Sequence, residues 1–448
     1  MHSRRSFLKT SALALPVLAS GCSSLRSHSV SSRDFVSVKN ARFELRGRPY
    51  FFVGANLWYG CYLGAPNVPG GQQRLVRELD RLQGLGVTNL RLLAGSESSA
   101  LAGSIPSGIT RAPRDWDEQL LEGLDFCIAQ MAKRDMRGVL YLTNYWQWSG
   151  GMAQYVNWVN TEPIPDPDRP KMSAGPWQDF MRFSARFYAT PAANDLFREY
   201  VSLLVNRRNP YTGRLYREEP AIMTWELANE PRPGTDADPG RLAAFYDWLD
   251  QTARFIHSLD DNHLVTTGTE GLHGCLERPD IFLKAHQSPA IDYVNVHLWL
   301  KNWSWLKQPH LGPQYEEAVA RGLDHVEQHI KLAGDTLRKP LTMEEFGIAR
   351  DGESLVPSSA VAMRDDYYRR MFQCLVDSCR AGRSLQGVNF WAWGGEGRSQ
   401  EARPNCSDST VYMGDPFSEP QGLNSVLSTD RSTCSVITSF NQKLRALA

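Results

Sequence analysis

Trp225-Glu226-Leu227-Ala228-Asn229-Glu230-Pro231-Arg232 is the stretch whose reading decides the fold. With Ile222 and Met223 just before it, it begins as a buried strand. It stops abruptly at Glu230-Pro231, because proline offers no N–H to a ladder and restricts the residue before it. An amide and a carboxyl, Asn229 and Glu230, are thereby left at the C-terminal end of the strand. In a barrel of alternating strands and helices, active sites lie at that end.

Outward from this strand the same alternation repeats. Strands are predicted at 50–56, 87–93, 138–144, 221–229, 263–268, 291–298, 340–346 and 387–393, and a short hairpin near the N-terminus from Phe35 to Phe43. Between the strands run helical stripes such as Leu75, Leu79, Leu82 and Leu85, then Leu121, Leu124, Ile128 and Met131. Strand and helix in alternation favour a parallel sheet. Eight such units, with no Gly-x-Gly-x-x-Gly turn, predict a closed (β/α)8 (TIM) barrel rather than a dinucleotide-binding sheet. Residues 35–448 are expected to form this one catalytic domain. The segment 147–190, with Pro163, Pro165, Pro167 and Pro170, reads as a long loop over one end of it.

Composition narrows the function. The 448 residues hold 49 Lys and Arg against 49 Asp and Glu, in no long run of one sign, which argues against nucleic acid as a partner. Residues 1–22 read as an export signal: Ser3-Arg4-Arg5-Ser6-Phe7-Leu8-Lys9 has the twin-arginine form, and a short apolar run follows. Ser20-Gly21-Cys22 reads as a lipoprotein site, with plain cleavage as the alternative. The expected location is therefore the periplasm, the exterior or a membrane-anchored lipoprotein, attached only through Cys22. Removing the signal leaves a net charge of about −3. Residues 23–34 are a polar linker. Without Cys22, seven cysteines remain and no Cys-x-x-Cys pair, so zinc ribbons are not expected; Cys406 and Cys434 are disulfide candidates. No metal or other cofactor is expected, and the protein is expected to be monomeric.

At the strand ends, polar and aromatic groups gather: Asn56, Trp58, Arg91, Asn144, Trp146, Asn229, Glu230, His297, Trp299, Trp303, Glu344, Glu345 and Trp391. Aromatic platforms, a few orienting polar groups and two acids are the equipment of a glycoside-cleaving cleft. The 13 tryptophans permit a carbohydrate ligand but do not demand one. Glu230 is one candidate catalytic carboxylate. The second is Glu344 or Glu345; adjacent strand residues point to opposite faces, so one enters the mouth. Glu226 shares the parity of Glu230 but sits deeper, as a buried structural group would. His325 and His329, four apart on a helix with Glu327 between them, lack the His-Glu-x-x-His order and read as a solvated face. Asp166 and Asp168 are too few acids for calcium. Trp148, Trp158, Trp177 and Trp248 read as packing residues, while Trp58, Trp303 and Trp305 read equally as packing residues or as sugar platforms.

The chain resembles glycoside hydrolase family 5, in its endo-β-1,4-mannanase branch. The resemblance lies in Trp225 to Arg232, in Tyr145-Trp146-Gln147-Trp148-Ser149-Gly150-Gly151 with Tyr155-Val156, in Phe187-Tyr188, and in 206–216 with Tyr211-Thr212-Gly213. Glu345-Phe346-Gly347 and Phe390-Trp391 complete it. It covers roughly residues 35–430. It implies Glu230 as acid/base, Glu345 as nucleophile, Asn229 as donor to the sugar 2-hydroxyl, Arg91 beside the nucleophile, His297 near the acid/base and Trp391 under the reacting sugar. Trp299 departs from the family pattern, which often has Tyr there. The implied activity is retaining endo-hydrolysis of β-1,4-mannan, glucomannan or galactomannan. The alternatives are an exo-acting mannosidase or transglycosylase, a β-1,4-glucan hydrolase, and a non-catalytic glycan-binding protein.

Overall fold

A computed structural model describes residues 30–169, 176–398 and 408–448. The export signal, most of the linker and Cys406 lie outside them. The fold is a (β/α)8 barrel. Its parallel strands are β1 (Phe52–Asn56), β2 (Asn89–Leu93), β3 (Arg137–Tyr141), β4 (Ile222–Glu226), β5 (Leu264–Thr266), β6 (Val294–Leu298), β7 (Leu341–Phe346) and β8 (Leu385–Phe390). In sheet order they run β5-β4-β3-β2-β1-β8-β7-β6, leaving one seam, between β5 and β6. That seam is closed by single bonds instead of a ladder. Asp292 N–H donates to Val265 O at 2.8 Å, and Asn295 Oδ1 accepts Thr266 Oγ1 at 2.6 Å and Gly268 N–H at 2.9 Å. Among the described residues no helix is long and apolar enough to cross a membrane.

The helices follow the apolar stripes: Gly71–Gly84, Glu118–Ala132, Pro191–Val205, Pro239–Leu259, Pro313–Lys331, Ala362–Arg380 and Arg431–Arg445. Several start with proline, whose missing N–H costs nothing in a first turn. The predicted long loop holds two further helices, Gly151–Asn160 and Pro176–Ser184. A three-stranded antiparallel sheet (Ser37–Lys39, Arg42–Leu45, Arg48–Pro49) covers the N-terminal end of the barrel. Its Val36 and Phe43 pack on Phe52, Val139, Met223 and Tyr293.

Ladders end earlier than the sequence predicts on the catalytic side. β4 stops at Glu226 rather than Asn229, and β3 at Tyr141 rather than Asn144. Beyond them Asn144 and Asn229 form one isolated bridge, with Asn229 N–H donating to Thr143 O at 2.9 Å. The strands splay here because each must open toward the rim, and single bonds replace a register.

Other expectations are corrected by burial. His325 and His329 lie on a buried face, not a solvated one: His329 Nε2 accepts Leu272 N–H at 2.9 Å, and Phe282 meets its ring edge-on at 5.1 Å. Trp58 is fully buried as well. Its indole N–H donates to Gly414 O at 3.0 Å, and its ring packs on Tyr59, Trp148 and Phe417, so it anchors the loop after β8 rather than carrying a sugar.

The loop after β1 contains a short helix, Gly60–Gly64, laid against Glu118–Ala132 at backbone contact. A Cβ on Gly123 would lie 2.0 Å from Cys61 O, and one on Gly64 would lie 2.1 Å from Gly123 O. Backbone cannot give way as a side-chain tip can. Gly123→Val is therefore expected to cost about 3 kcal/mol or more, read as a lower urea midpoint at unchanged slope.

Candidate active site

Arg91, in the middle of β2, is fully buried and serves four side-chain acceptors. It holds Glu226 bidentately at 2.6 and 2.9 Å, Asn56 Oδ1 at 3.1 Å, Asn229 Oδ1 at 2.7 Å and Glu345 Oε1 at 2.5 Å. Its guanidinium also lies over the Tyr141 ring, 4.5 Å from the centroid. Glu226 is thus a structural carboxylate, as its depth suggested. Arg91 also fixes the Asn229 amide. With its oxygen on Arg91 and one Nδ2 hydrogen donated to Asn144 Oδ1 at 3.0 Å, the amide keeps a single N–H to offer a ligand.

The choice between Glu344 and Glu345 is made by a bulge. Val296 pairs with Met343 but His297 pairs with Glu345, so Glu344 is an extra residue on β7. The expectation of opposite faces fails for that reason: both side chains turn to the barrel interior, at different depths. Glu344 accepts from Tyr293 Oη at 2.8 Å and Asn295 Nδ2 at 2.5 Å, and lies 4.0 Å from Arg91 Nε. Burial, then the charge of Glu226, pushes its carboxyl well above the carboxylate range. Glu345 stands at the mouth, in the cavity lining.

Glu230 faces it. The residue has a left-handed backbone (φ 52°), uncommon outside glycine, and its N–H donates to Gly268 O at 2.9 Å. Its Oε1 is 2.7 Å from His297 Nδ1, which is also 3.5 Å from Glu345 Oε2. Its Oε2 accepts the Trp146 indole N–H at 2.5 Å. One oxygen of each carboxylate and His297 Nδ1 all lie within 4.8 Å of one another, close enough for a metal ion as well as for a shared proton network. Burial raises Glu230, opposed first by Arg232 and then by the Trp146 bond. Burial also raises Glu345, while the Arg91 guanidinium opposes that rise. Burial keeps His297 neutral.

These groups open into a cavity of about 490 Å³. On the Glu230 side its walls are Trp146, Trp177, Arg232, Glu270, His273 and Trp303. Arg232 lies over the Trp146 ring at 4.8 Å and pairs with Glu270 at 2.5 Å; Trp303 stacks on His273 at 4.2 Å. On the Glu345 side are Trp299, Trp391, Trp148, Pro416, Ser418 and Glu419. The Trp299 indole N–H donates to Glu345 Oε2 at 3.3 Å. The indole nitrogen of Trp391 is buried with no partner among the described residues. Glu419, pushed up to about 8 by burial and by the neighbouring acids Asp415 and Glu345, has one unpartnered carboxyl oxygen.

Of the predicted site residues, Asn229, Glu230, Trp146, Trp299, Trp303, Glu345 and Trp391 line the cavity; Arg91 and His297 sit directly beneath it. Trp58 does not reach it. Trp148 and Trp177, read as packing, do. Sequence reasoning missed Glu270, His273 and Glu419, which lie on loops with no motif around them. Because a buried guanidinium among carboxylates cannot be replaced by a point charge, Arg91→Lys should destabilise the fold by about 3–5 kcal/mol, measured by urea unfolding.

Comparison with known proteins agrees with the geometry. The family described as GH family 5 beta-mannosidase-like matches residues 33–448. A glycoside hydrolase family 5 mannosidase from Rhizomucor miehei is 33% identical, with a TM-score of 0.83 over 93% of this chain and 99% of that one. A putative mannan endo-1,4-beta-mannosidase 4 of Arabidopsis thaliana is 29% identical over 411 residues, 88% of this chain and 92% of that protein. An endo-1,4-beta-mannanase from R. miehei, at 21% identity and a TM-score of 0.65, shares the fold. With two buried carboxylates facing each other across a barrel mouth and a family match over the whole barrel, this chain belongs to the mannosidase group of glycoside hydrolase family 5.

Proposed function

We propose that this protein hydrolyses β-1,4-mannosidic linkages with retention of configuration and works from the chain end. The mechanism follows from the carboxylates. Retaining glycosidases hold them about 5–5.5 Å apart, inverting ones roughly 6.5–9.5 Å to admit a water. One oxygen of each lies within 4.8 Å of the other, an approach that suits the shorter, retaining separation. Glu345, ionised on Arg91, attacks the anomeric carbon while Glu230 protonates the departing oxygen. Water then attacks the glycosyl-enzyme, with Glu230 as base. The free Asn229 N–H is directed to the sugar 2-hydroxyl, and Trp391 forms the floor.

Chain-end action is carried by the shape of the cavity. The leaving group departs on the Glu230 side, which is an open rim of aromatic and charged groups. The reacting sugar lies over Glu345 and Trp391, and beyond it the loop after β8 stands as a wall. Ser418 and Glu419 line the catalytic cavity on one face and a separate cavity of about 730 Å³ on the other. A wall at this point stops a polymer and makes the reacting sugar the terminal one, which is the reading proposed. Mannan as substrate is supported by the names of the relatives. The endo reading is supported by the plant relatives at 29% identity. Export, with anchoring through Cys22, is supported by the twin-arginine motif and stays part of this proposal.

Product sizing on β-1,4-mannan, its short oligomers and β-1,4-glucan tests the reading. Release of mannose as the first small product, lost about 10³-fold or more in Glu345→Ala, is expected. Early mixed oligomers would show endo action, and cleavage of glucan alone would overturn the substrate. The pH profile gives a second check. The alkaline limb belongs to Glu230 losing its proton. Trp146→Phe removes a donor that favours the carboxylate, so this limb should move to higher pH.

A further inference from the structure

The closed end of the cavity is where three loops meet at Gly103. A Cβ there would lie 2.0 Å from Asp168 Oδ2 and 3.3 Å from Ser418 Cβ, so the loops after β3 and β8 both close on a residue with no room for a side chain. The loops after β2 and β3 are tied together. Ser104 Oγ donates to Gln147 O at 2.6 Å, Ala102 N–H to Asp166 Oδ2 at 3.0 Å, and Ile105 N–H to Trp148 O at 2.8 Å.

At this junction Gln147 is 97% buried, being only 3% exposed, yet lines the cavity. Its Nε2 donates to Asp168 Oδ2 at 2.9 Å, and its Oε1 has no partner among the described residues. Buried amide oxygens are rarely left so. Asp168 is exposed and lines the same cavity. Neither residue has a part in the displacement at the anomeric carbon. Together they present unused acceptor atoms, and no cation, to whatever fills the end of the cavity.

We propose that Gln147 and Asp168 read the terminal sugar, accepting hydrogen bonds from the hydroxyls remote from its anomeric carbon, with Gly103 keeping that end closed. The ligand class is an unextended, uncharged sugar with free hydroxyls; a sugar acid is repelled by Asp168. This rests on the chain-end reading above.

The test compares kcat/KM on mannotriose and on 4-nitrophenyl β-mannoside for wild type, Asp168→Ala, Asp168→Asn and Gly103→Ala, with product sizing on the wild type. Both substrates carry the same terminal sugar. Asp168→Ala should therefore lower both values by a common factor of about 10–100, with a small drop in melting midpoint from the lost Gln147 bond and partial rescue of both in Asp168→Asn. Gly103→Ala, whose Cβ pushes the flexible Asp168 carboxylate aside, should reproduce the loss. Unchanged activity on both substrates, or a loss confined to mannotriose, overturns the assignment, the latter by moving the contact to the leaving-group side. Mixed oligomers from the wild type would instead overturn the chain-end reading. The common factor on the aryl mannoside would still report on the Asp168 contact.

Discussion

One buried cation organises the catalytic end of this barrel. A guanidinium withdrawn from water must be paired, and its planar fork of five donors can satisfy several acceptors at once. Arg91 uses that capacity across the strands: Asn56 at the end of β1, Glu226 and Asn229 from β4 and beyond, Glu345 from β7, and the face of Tyr141 from β3. The catalytic carboxylate and the sugar-facing amide are therefore held in place by the same requirement that keeps the charge solvated. Arg91 thus both positions Glu345 and favours its charged form.

The rest of the interior is built to tolerate this charge. Its N-terminal end is apolar and sealed by the small antiparallel sheet. Above that, glycines make room: a Cβ on Gly54 would lie 2.4 Å from Asn389 Nδ2. Higher still, Glu226, Glu344 and Asn295 line the barrel with hydrogen bonds rather than methyl groups. The bulge on β7 and the left-handed backbone at Glu230 are local departures from regular geometry, each placing a carboxylate where a regular strand would not. Such strain costs on the order of 1–3 kcal/mol and persists only where its surroundings impose it.

The loops then decide what reaches the acids. The loop after β8 is self-supporting: Asp415 accepts N–H groups from Gly422 at 3.0 Å and Asn424 at 2.8 Å, and Arg350 holds Asp430 at 2.7 and 2.8 Å. Trp58 packs behind the described part of this loop, at Gly414 and Phe417. On the Glu230 side Arg232 is laid on Trp146.

The sequence by itself determined the barrel, because strand and helix periodicities are local properties, and it located Glu230 through the strand-terminating proline that follows it. It also identified Glu226 as structural, from depth and parity alone. It could not choose between Glu344 and Glu345 without the family resemblance, since a bulge arises from the register of one strand against its neighbour. Nor could it sort the tryptophans: Trp58 and Trp148 look alike in the chain, but one is sealed beneath a loop that returns from residue 414 while the other faces the cavity. Glu419, Glu270 and the contact of Gly103 with Asp168 and Ser418 were likewise decided only in three dimensions. Each depends on segments distant in sequence meeting at one point, and no local pattern encodes such a meeting.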